Sequence, residues 1–346
     1  WSATGTMLGI NAPSSFNGNF VDLQVNGTSQ LKITSGGTIL AVGNSSGTTP
    51  ASGAGTRFMW IPAKAAFRAG AVSGASWDDA NIGSWSVGLG YNTQASGNYS
   101  VALGDSITAS GTYSTALGHI LTASGYKSTT IGYSSSASGQ YARAIGNSVT
   151  TSGDYSFGFG TNLTSNSSYA MTLGSGVLTG GQLINSTRGA LMFGYNLATP
   201  TLYARGGGTF TAIGTVTKTG GSTAVTGSGT GFTTELIVGD RVTIGLETRT
   251  VTVISSNTAM TVDSNFTLDA SGSSMTILPA LLAVRDSSNN PSVFISDQGN
   301  VGIGIATPSE KLTINAGTGW VTTNPAAVNG LRIVSTGGYG DGIGFT

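Results

Sequence analysis

The chain has 346 residues, 14 basic and 14 acidic side chains and no net charge, with 55 glycines and no cysteine. Only 8% of its residues are charged, against roughly 25% in an ordinary soluble domain where glycine is roughly 7%. The single, scattered charges exclude a phosphate-tracking groove or a polybasic anchor, the missing cysteines exclude disulfides and thiolate metal sites, and regularly placed Val, Ile, Leu and Tyr exclude a disordered linker.

The composition is fibrous: solubility is expected from Ser, Thr and Asn, and no transmembrane run is present. The first residue is Trp1, not Met, so any targeting or anchoring segment is expected to have been removed or to lie outside this fragment. Residues 1–50 form a first small β module, in which "LGINAP" (Leu8 to Pro13) leads to "LQVNGTSQLKITSGGTIL" (Leu23 to Leu40). Residues 51–81 are taken as a connector.

Residues 82–178 repeat every fourteen residues. Gly90, Gly104, Gly118, Gly132, Gly146, Gly160 and Gly174 form one column, directly preceded by Leu89, Leu103, Leu117, Ile131, Ile145, Phe159 and Leu173. A second column, Gly97, Gly111, Gly125, Gly139 and Gly153, lies half a period on and fails only at Ser167. Two glycine corners per period, joined by segments rich in Ser, Thr, Val and Tyr, predict stacked coils of two short strands and two tight turns, a β-solenoid. Such a coil is a thin tube, with Leu103, Ile107 and Ala109 as expected inward residues. The column before the apolar one is small or short (Gly88, Ala102, Ala116, Thr130, Ala144, Gly158, Thr172). Close packing at that face predicts three tubes around a shared axis.

The repeat "YSVALGDSITASGTYSTALG" (Tyr99 to Gly118) resembles the head repeat of trimeric autotransporter adhesins. That resemblance implies a left-handed parallel β-roll assembled as a tight homotrimer. Lys127, Arg143 and Ser167 depart from their columns and suggest a loosened last turn. Adhesins of that family carry a coiled-coil stalk and a membrane anchor, and neither a heptad stretch nor an anchor is present here.

After a connector or cap at 179–208, with Gly206 to Gly208 as a hinge, residues 209–279 read as a small β-barrel or sandwich of five to seven strands. Val242, Ile244, Val251 and Val253 are its alternating core positions, with turns at Gly220-Gly221, Gly239-Asp240 and Ser256-Asn257. Residues 280–346 form a second small module, with Val284, Phe294 or Ile295, and Val301 as inward candidates. Its "NVGIGIATPSEKLTI" (Asn300 to Ile314) resembles a segment of bacteriophage tail fibres that often precedes a self-cleaving chaperone domain. No such domain follows Thr346, so the resemblance implies one that was released or never belonged. Modules of about twenty residues cannot bury enough apolar area alone, so identical chains are expected to complete them.

The column Trp85, Tyr99, Tyr113, Tyr141, Tyr155 and Tyr169 predicts an aromatic ladder. It can stabilise the coil corners by stacking, or contact a bacterial surface glycan or envelope protein. No catalytic site is expected: Asp105 and Asp154 lie in different columns, and Asp78-Asp79 suits a capping or turn role. His119 is expected as a solvated turn residue, with metal binding at a trimer axis as the alternative. Asp286, Asn289, Asn290 and Asp297 suit Asx-rich turns better than calcium ligation. No metal or cofactor is expected, nor a nucleic-acid partner or membrane insertion.

The sequence thus predicts an all-β elongated homotrimer with a β-roll, flanking interleaved small modules and an inserted barrel or sandwich. The function expected is non-enzymatic attachment to a bacterial surface from the extracellular side, with a phage tail fibre favoured. A bacterial surface adhesin and a purely structural extracellular filament are the alternatives.

Overall fold

A computed structural model describes residues 10–43, 46–177, 181–196, 200–205, 208–286 and 291–315. Leu8 and Gly9, the hinge residues Gly206 and Gly207, the turn residues Asn289 and Asn290, and 316–346 of the C-terminal module lie outside the described residues. Nearly everything described is β. The chain divides into two compact units, Trp1–Thr161 and Asn162–Thr346.

In the first unit, Asn19–Val25, Thr28–Thr34 and Ile39–Ala41 form an antiparallel sheet. Asn26 and Gly27 take φ +49° and +77°, the left-handed pair that a two-residue hairpin requires. None of these strands contains a buried residue, and Leu23, Val25 and Ile39 are exposed.

The coil begins earlier than the fourteen-residue spacing indicates. Gly55–Ile61 pairs antiparallel with Ala66–Val72, which pairs in parallel with Val87–Tyr91. The expected connector at 51–81 therefore contains the first rung, and Gly70 joins the glycine column opposite Gly90 at a spacing of twenty. From Val87–Tyr91 onward, Val101–Ala109, Thr115–Ala123, Thr129–Tyr133 and Arg143–Thr151 stack in parallel and in register, with Leu103 opposite Leu117 and Gly104 opposite Gly118.

The direction of the side chains corrects one expectation. Ala102, Ala116, Thr130 and Ala144 point into the tube and are fully buried, with Ile107, Leu121 and Val149 from the opposite wall and Ala95, Ala109, Ala123 and Ala137 beside them. Leu103 does not point inward; its column faces out, and Leu117 is 46% exposed. Successive strand residues alternate between faces, and the lumen accommodates one large side chain per rung. The larger apolar residue of each Ala-Leu pair is the one left outside. The small column is thus small because of the coil's own interior, not because a neighbouring chain packs on it.

The same geometry explains the glycines. A Cβ on Gly104 would lie 2.0 Å from the carbonyl oxygen of Gly118, and one on Gly111 would lie 2.1 Å from that of Gly125. Adjacent rungs touch backbone to backbone at both corners.

The open end of the tube is closed from within. Arg68 occupies the inward column next to Gly88 and donates to the carbonyl oxygens of Phe67, Ser86 and Ala95 and to the Ser86 hydroxyl. Burial pulls its pKa down to about 10. A Cβ on Gly88 would lie 2.9 Å from Arg68 Cδ, so the glycine makes room for the plug. Trp77, fully buried among Met59, Ile61, Ala66, Val72 and Ile82, donates its indole N–H to the Thr93 carbonyl at 2.7 Å.

The second unit opens with coiled strands of the same kind. Leu163 in Phe157–Ser165 lies opposite Leu183, and Met171–Ser175 pairs in parallel with Ala190–Tyr195, bringing Gly174 opposite Gly194. Ser167 does not loosen its turn: its carbonyl accepts from the Ala170 N–H at 3.2 Å, as Gly153 does from Ser156 in the first unit. The supposed connector at 179–208 therefore carries another rung. Pairing then becomes antiparallel through Leu202–Arg205, Leu282–Arg285, Pro291–Ile295 and Val301–Ile303, with Leu312–Ile314 added in parallel. Ala283 and Phe294 take the inward places here, while Val284, Ile295 and Val301 are half-buried.

Residues 209–279 form eight antiparallel strands, in the order Phe210–Thr211, Met275–Leu278, Arg241–Ile244, Glu247–Ser256, Ala259–Val262, Ala224–Ser228, Thr215–Lys218 and Ala270–Ser273. They share one core around Phe232, Val242, Ile244, Phe266 and Ile277, so the sheet is rolled. It exceeds the expected five to seven strands and adds a helical turn, Phe232–Glu235. Val251 is buried, but the register shifts between Val251 and Val253 and turns Val253 out to 49% exposure.

Candidate functional site

The tube interior is closed, so function resides on its outer columns. The first column is apolar. In the first unit Leu89, Leu103, Leu117, Ile131 and Ile145 follow one another in register, with Val87, Val101, Thr115 and Thr129 beside them on the same face. Ala69 and Phe67 extend both rows, and Phe58 and Trp60 lie opposite them on the antiparallel strand, 76% and 41% exposed. In the second unit the corresponding pairs are Leu173 with Phe193 and Met171 with Leu191. Contiguous apolar surface on this scale marks an interaction face.

The second column is the aromatic ladder. Trp85, Tyr99, Tyr113, Lys127, Tyr141, Tyr155 and Tyr169 all take φ between +54° and +59° or, at Tyr113, +61°, which swings their side chains out at a corner. Trp85 stacks on Tyr99 and Tyr99 on Tyr113, each at 4.6 Å between centroids, and Tyr141 stacks on Tyr155 at 4.8 Å with 6° between planes.

Lys127 does not break the ladder. Its ammonium lies 5.1 Å from the Tyr126 ring, 5.4 Å from Tyr141 and 5.7 Å from Tyr113. Tyr126 meets both neighbouring tyrosines edge-on. The hydrogen bond with Tyr126, reinforced electrostatically by Tyr126 and Tyr141, holds the lysine pKa above its ordinary value. Tyr169, in the second unit, lies under the Arg188 guanidinium at 5.9 Å.

Stacking restricts what the ladder can contact. At these spacings the ring faces are occupied by their neighbours, so Tyr99 and Tyr113 present edges and hydroxyls, not free faces. Sugar stacking along the interior of the ladder is therefore blocked, and an approaching ligand meets a row of phenol edges.

The polar candidates remain dispersed. His119 Nε2 lies 3.5 Å from Asp105 Oδ2 on the neighbouring rung, both about half exposed. Asp154 accepts from the Gln140 N–H at 2.9 Å. Asp78 accepts from the Gly53 N–H at 2.6 Å and Asp79 from that of Thr49 at 2.9 Å, so this pair ties down the preceding segment and caps no helix with its side chains. Asp297 pairs with Arg241 at 2.9 Å. Among the described residues no group of acidic or histidine side chains could hold a metal ion, and no helix is long and apolar enough to cross a membrane.

Sequence reasoning missed Arg205 and Asp240 in the second unit, both almost fully buried and directly paired. Arg205 also donates to the Glu235 carbonyl at 2.7 Å, and Asp240 accepts from the N–H groups of Ile237 and Ala280. A Gly-Asp dipeptide signals only a turn, and nothing local in the sequence marks this pair.

In-register coils with glycine corners, a thin interior and an apolar outer column define a β-solenoid repeat. Residues 86–106, 108–119 and 123–148 match the YadA head domain repeat; these coils are adhesin-head-like repeats. No curated protein and no solved structure matches the chain.

Proposed function

We propose that the protein is a non-enzymatic attachment fibre that works as a homotrimer at a bacterial surface, from the extracellular side. The observation that carries this reading is the outward column from Leu89 to Ile145 on coils matching the YadA head domain repeat. Three copies that turn this column toward a common axis remove it from water at roughly 25 cal/mol per Å². The N-terminal sheet, which buries no residue of its own, gains a core in the same way.

Attachment by such a fibre is multivalent: contacts that are weak singly add up when a stiff support presents three copies. Its partner is a surface glycan or envelope protein. The exposed phenol edges of Tyr99, Tyr113 and Tyr155 are the contact we favour within the repeat. A virion tail fibre is the specific form supported by "NVGIGIATPSEKLTI", where Ile303, Leu312 and Ile314 are exposed; a bacterial surface adhesin is supported by the head repeats.

The test is a pull-down of the labelled chain, at a concentration where its mass is that of a trimer, on envelopes from a panel of bacteria. Selective capture that is lost on replacing Tyr113, Tyr141 and Tyr155 by Ala, with the trimer retained, supports the reading. Absence of capture by any envelope contradicts attachment by this segment and makes it a spacer or filament unit.

A further inference from the structure

We propose that a cleft in the second unit, walled by Arg188, Arg205, Thr209, Phe210 and Pro279, binds the anionic group of an acidic sugar, a carboxylate or a phosphate. The cleft is about 300 Å³, at the lower end of the size range of small-ligand sites, roughly 300–1,000 Å³. That suits a single sugar residue.

No carboxylate lines this cleft. Arg188 is exposed, its guanidinium carbon lies 5.9 Å from the Tyr169 ring centroid, and among the described residues it has no ion-pair partner. A guanidinium resting on a ring keeps its charge and its in-plane N–H donors. Arg205 contributes differently. Its charge is matched by Asp240, and its two terminal nitrogens donate to the Asp240 carboxylate and to the Glu235 carbonyl. Its Nε is buried without a partner, on a side chain only 2% exposed. A buried donor left unsatisfied costs stability, and an acceptor arriving in the cleft that Arg205 lines would relieve it. Thr209 adds an exposed hydroxyl. One free cation, an orphaned buried donor and a hydroxyl, with no opposing carboxylate, define an oxyanion site.

The neighbouring cleft indicates what carries the anion. It is about 310 Å³, shares Arg188 and Phe210 with the first, and is lined further by Ser167, Ser186, Thr211, Thr234 and Glu235. Both oxygens of Glu235 accept from the Ile213 N–H, at 3.1 and 3.3 Å, and a carboxylate can accept further bonds. Four hydroxyls and this acceptor match the hydroxyl edges of a sugar, while Phe210 and Pro279 offer apolar walls to its C–H faces. Glu235 repels a second anion, so the adjoining sugar residue is neutral. As recognition of a surface glycan, this assignment rests on the attachment reading above and names the class of glycan.

The experiment is saturation-transfer NMR with titration on the full chain. Glucuronate, galacturonate and glucose-6-phosphate are the probes, with glucose, acetate and inorganic phosphate as controls. Arg188→Gln and Thr209→Val, both at exposed positions, are compared after thermal melts verify folding. Arg143→Gln, which removes an exposed arginine of the first unit, controls for charge alone. At least one acidic sugar should bind with Kd of about 1–10 mM, and the three controls at least tenfold more weakly. Arg188→Gln should weaken binding about tenfold or more, Thr209→Val about threefold, and Arg143→Gln not at all. The tighter of uronate and sugar phosphate identifies the source of the anion.

No binding of any acidic sugar, equal binding of glucose or of the free anions, or unchanged affinity in a folded Arg188→Gln chain or in Thr209→Val would overturn the assignment. A loss in Arg143→Gln as large as in Arg188→Gln would do the same. Thr209→Val carries the test should Arg188→Gln fail to fold. Failure here is distinguishable from failure of the attachment reading, because sugar binding is measured without envelopes and the variants leave the ladder intact.

Discussion

Gly118 and the carbonyl oxygen of Gly132 on the next rung approach so closely that a Cβ on Gly118 would lie 2.0 Å from that oxygen, and Gly118 itself has φ +141°. Space and backbone conformation therefore both demand glycine. Gly118→Val should force two rungs apart and break the ladder on either side. The expected loss is several kcal/mol, at or beyond the about 4–5 kcal/mol that marks exceptional single substitutions. Urea unfolding followed by circular dichroism measures it; a variant with an unchanged midpoint would refute the backbone-contact account.

Ile120 is a strained residue on the same coil. Its φ is +55°, in a column whose other members are Asn92, Ser106, Ser134, Ser148 and Asn162. A β-branched side chain is poorly suited to left-handed backbone, and Ile120 is exposed, so little packing offsets the strain. Ile120→Asn should raise stability by about 1 kcal/mol, read as a higher urea midpoint with an unchanged slope. A lower midpoint would mean that the exposed isoleucine contributes more by contact than it costs in strain.

The glycine and aromatic columns were legible in the sequence because they answer constraints that recur on every rung: backbone contact at the corners and left-handed φ at Tyr99 or Tyr113. The facing of Ala102 and Leu103 was not legible, since hydrophobicity assigns the larger residue to the inside and only the width of the coil reverses it. Gly70 and Gly194 escaped notice because the turns leading to them are longer and shift them out of phase. Arg68 and the Arg205–Asp240 pair are isolated charges that meet partners distant in sequence. The alternation at Val251 and Val253 gave no warning of the register shift that separates them. For the candidate site, the fourteen-residue spacing of Trp85, Tyr99 and Tyr113 located the ladder, but only the ring spacing showed that its faces are occupied.

Glu247 makes the rolled sheet sensitive to acid. Hydrogen bonds from Lys218 first, then from the Thr267 N–H, hold its pKa down to about 2 from 4.5. A carboxylate with a depressed folded-state pKa contributes stability above its unfolded value, and that contribution is lost as pH falls through the folded value. Stability should therefore decline between about pH 4.5 and pH 2, and Glu247→Gln should flatten that part of the profile. Urea midpoints across this window test it; an identical slope in wild type and variant would contradict the assignment.

Asp240→Asn leaves the Arg205 guanidinium, 2% exposed as a side chain, without its anionic partner, and disturbs the acceptor for two backbone N–H groups. Breaking a buried pair from one side costs about 3–5 kcal/mol. The rolled sheet should melt markedly earlier, as followed by near-ultraviolet circular dichroism. A loss within about 0.5 kcal/mol, the range of ordinary surface substitutions, would show that the pair is not what holds Arg205.

The most direct test of the central claim is the mass in solution of the wild-type chain and of Leu117→Asp, measured by sedimentation velocity. Leu117 is 46% exposed on the single coil, so an aspartate there is compatible with a folded monomer but not with a packed apolar face between copies. The prediction is a wild type of three chains and a folded Leu117→Asp monomer with retained β circular dichroism. A monomeric wild type, or a Leu117→Asp trimer as stable as the wild type, would contradict it.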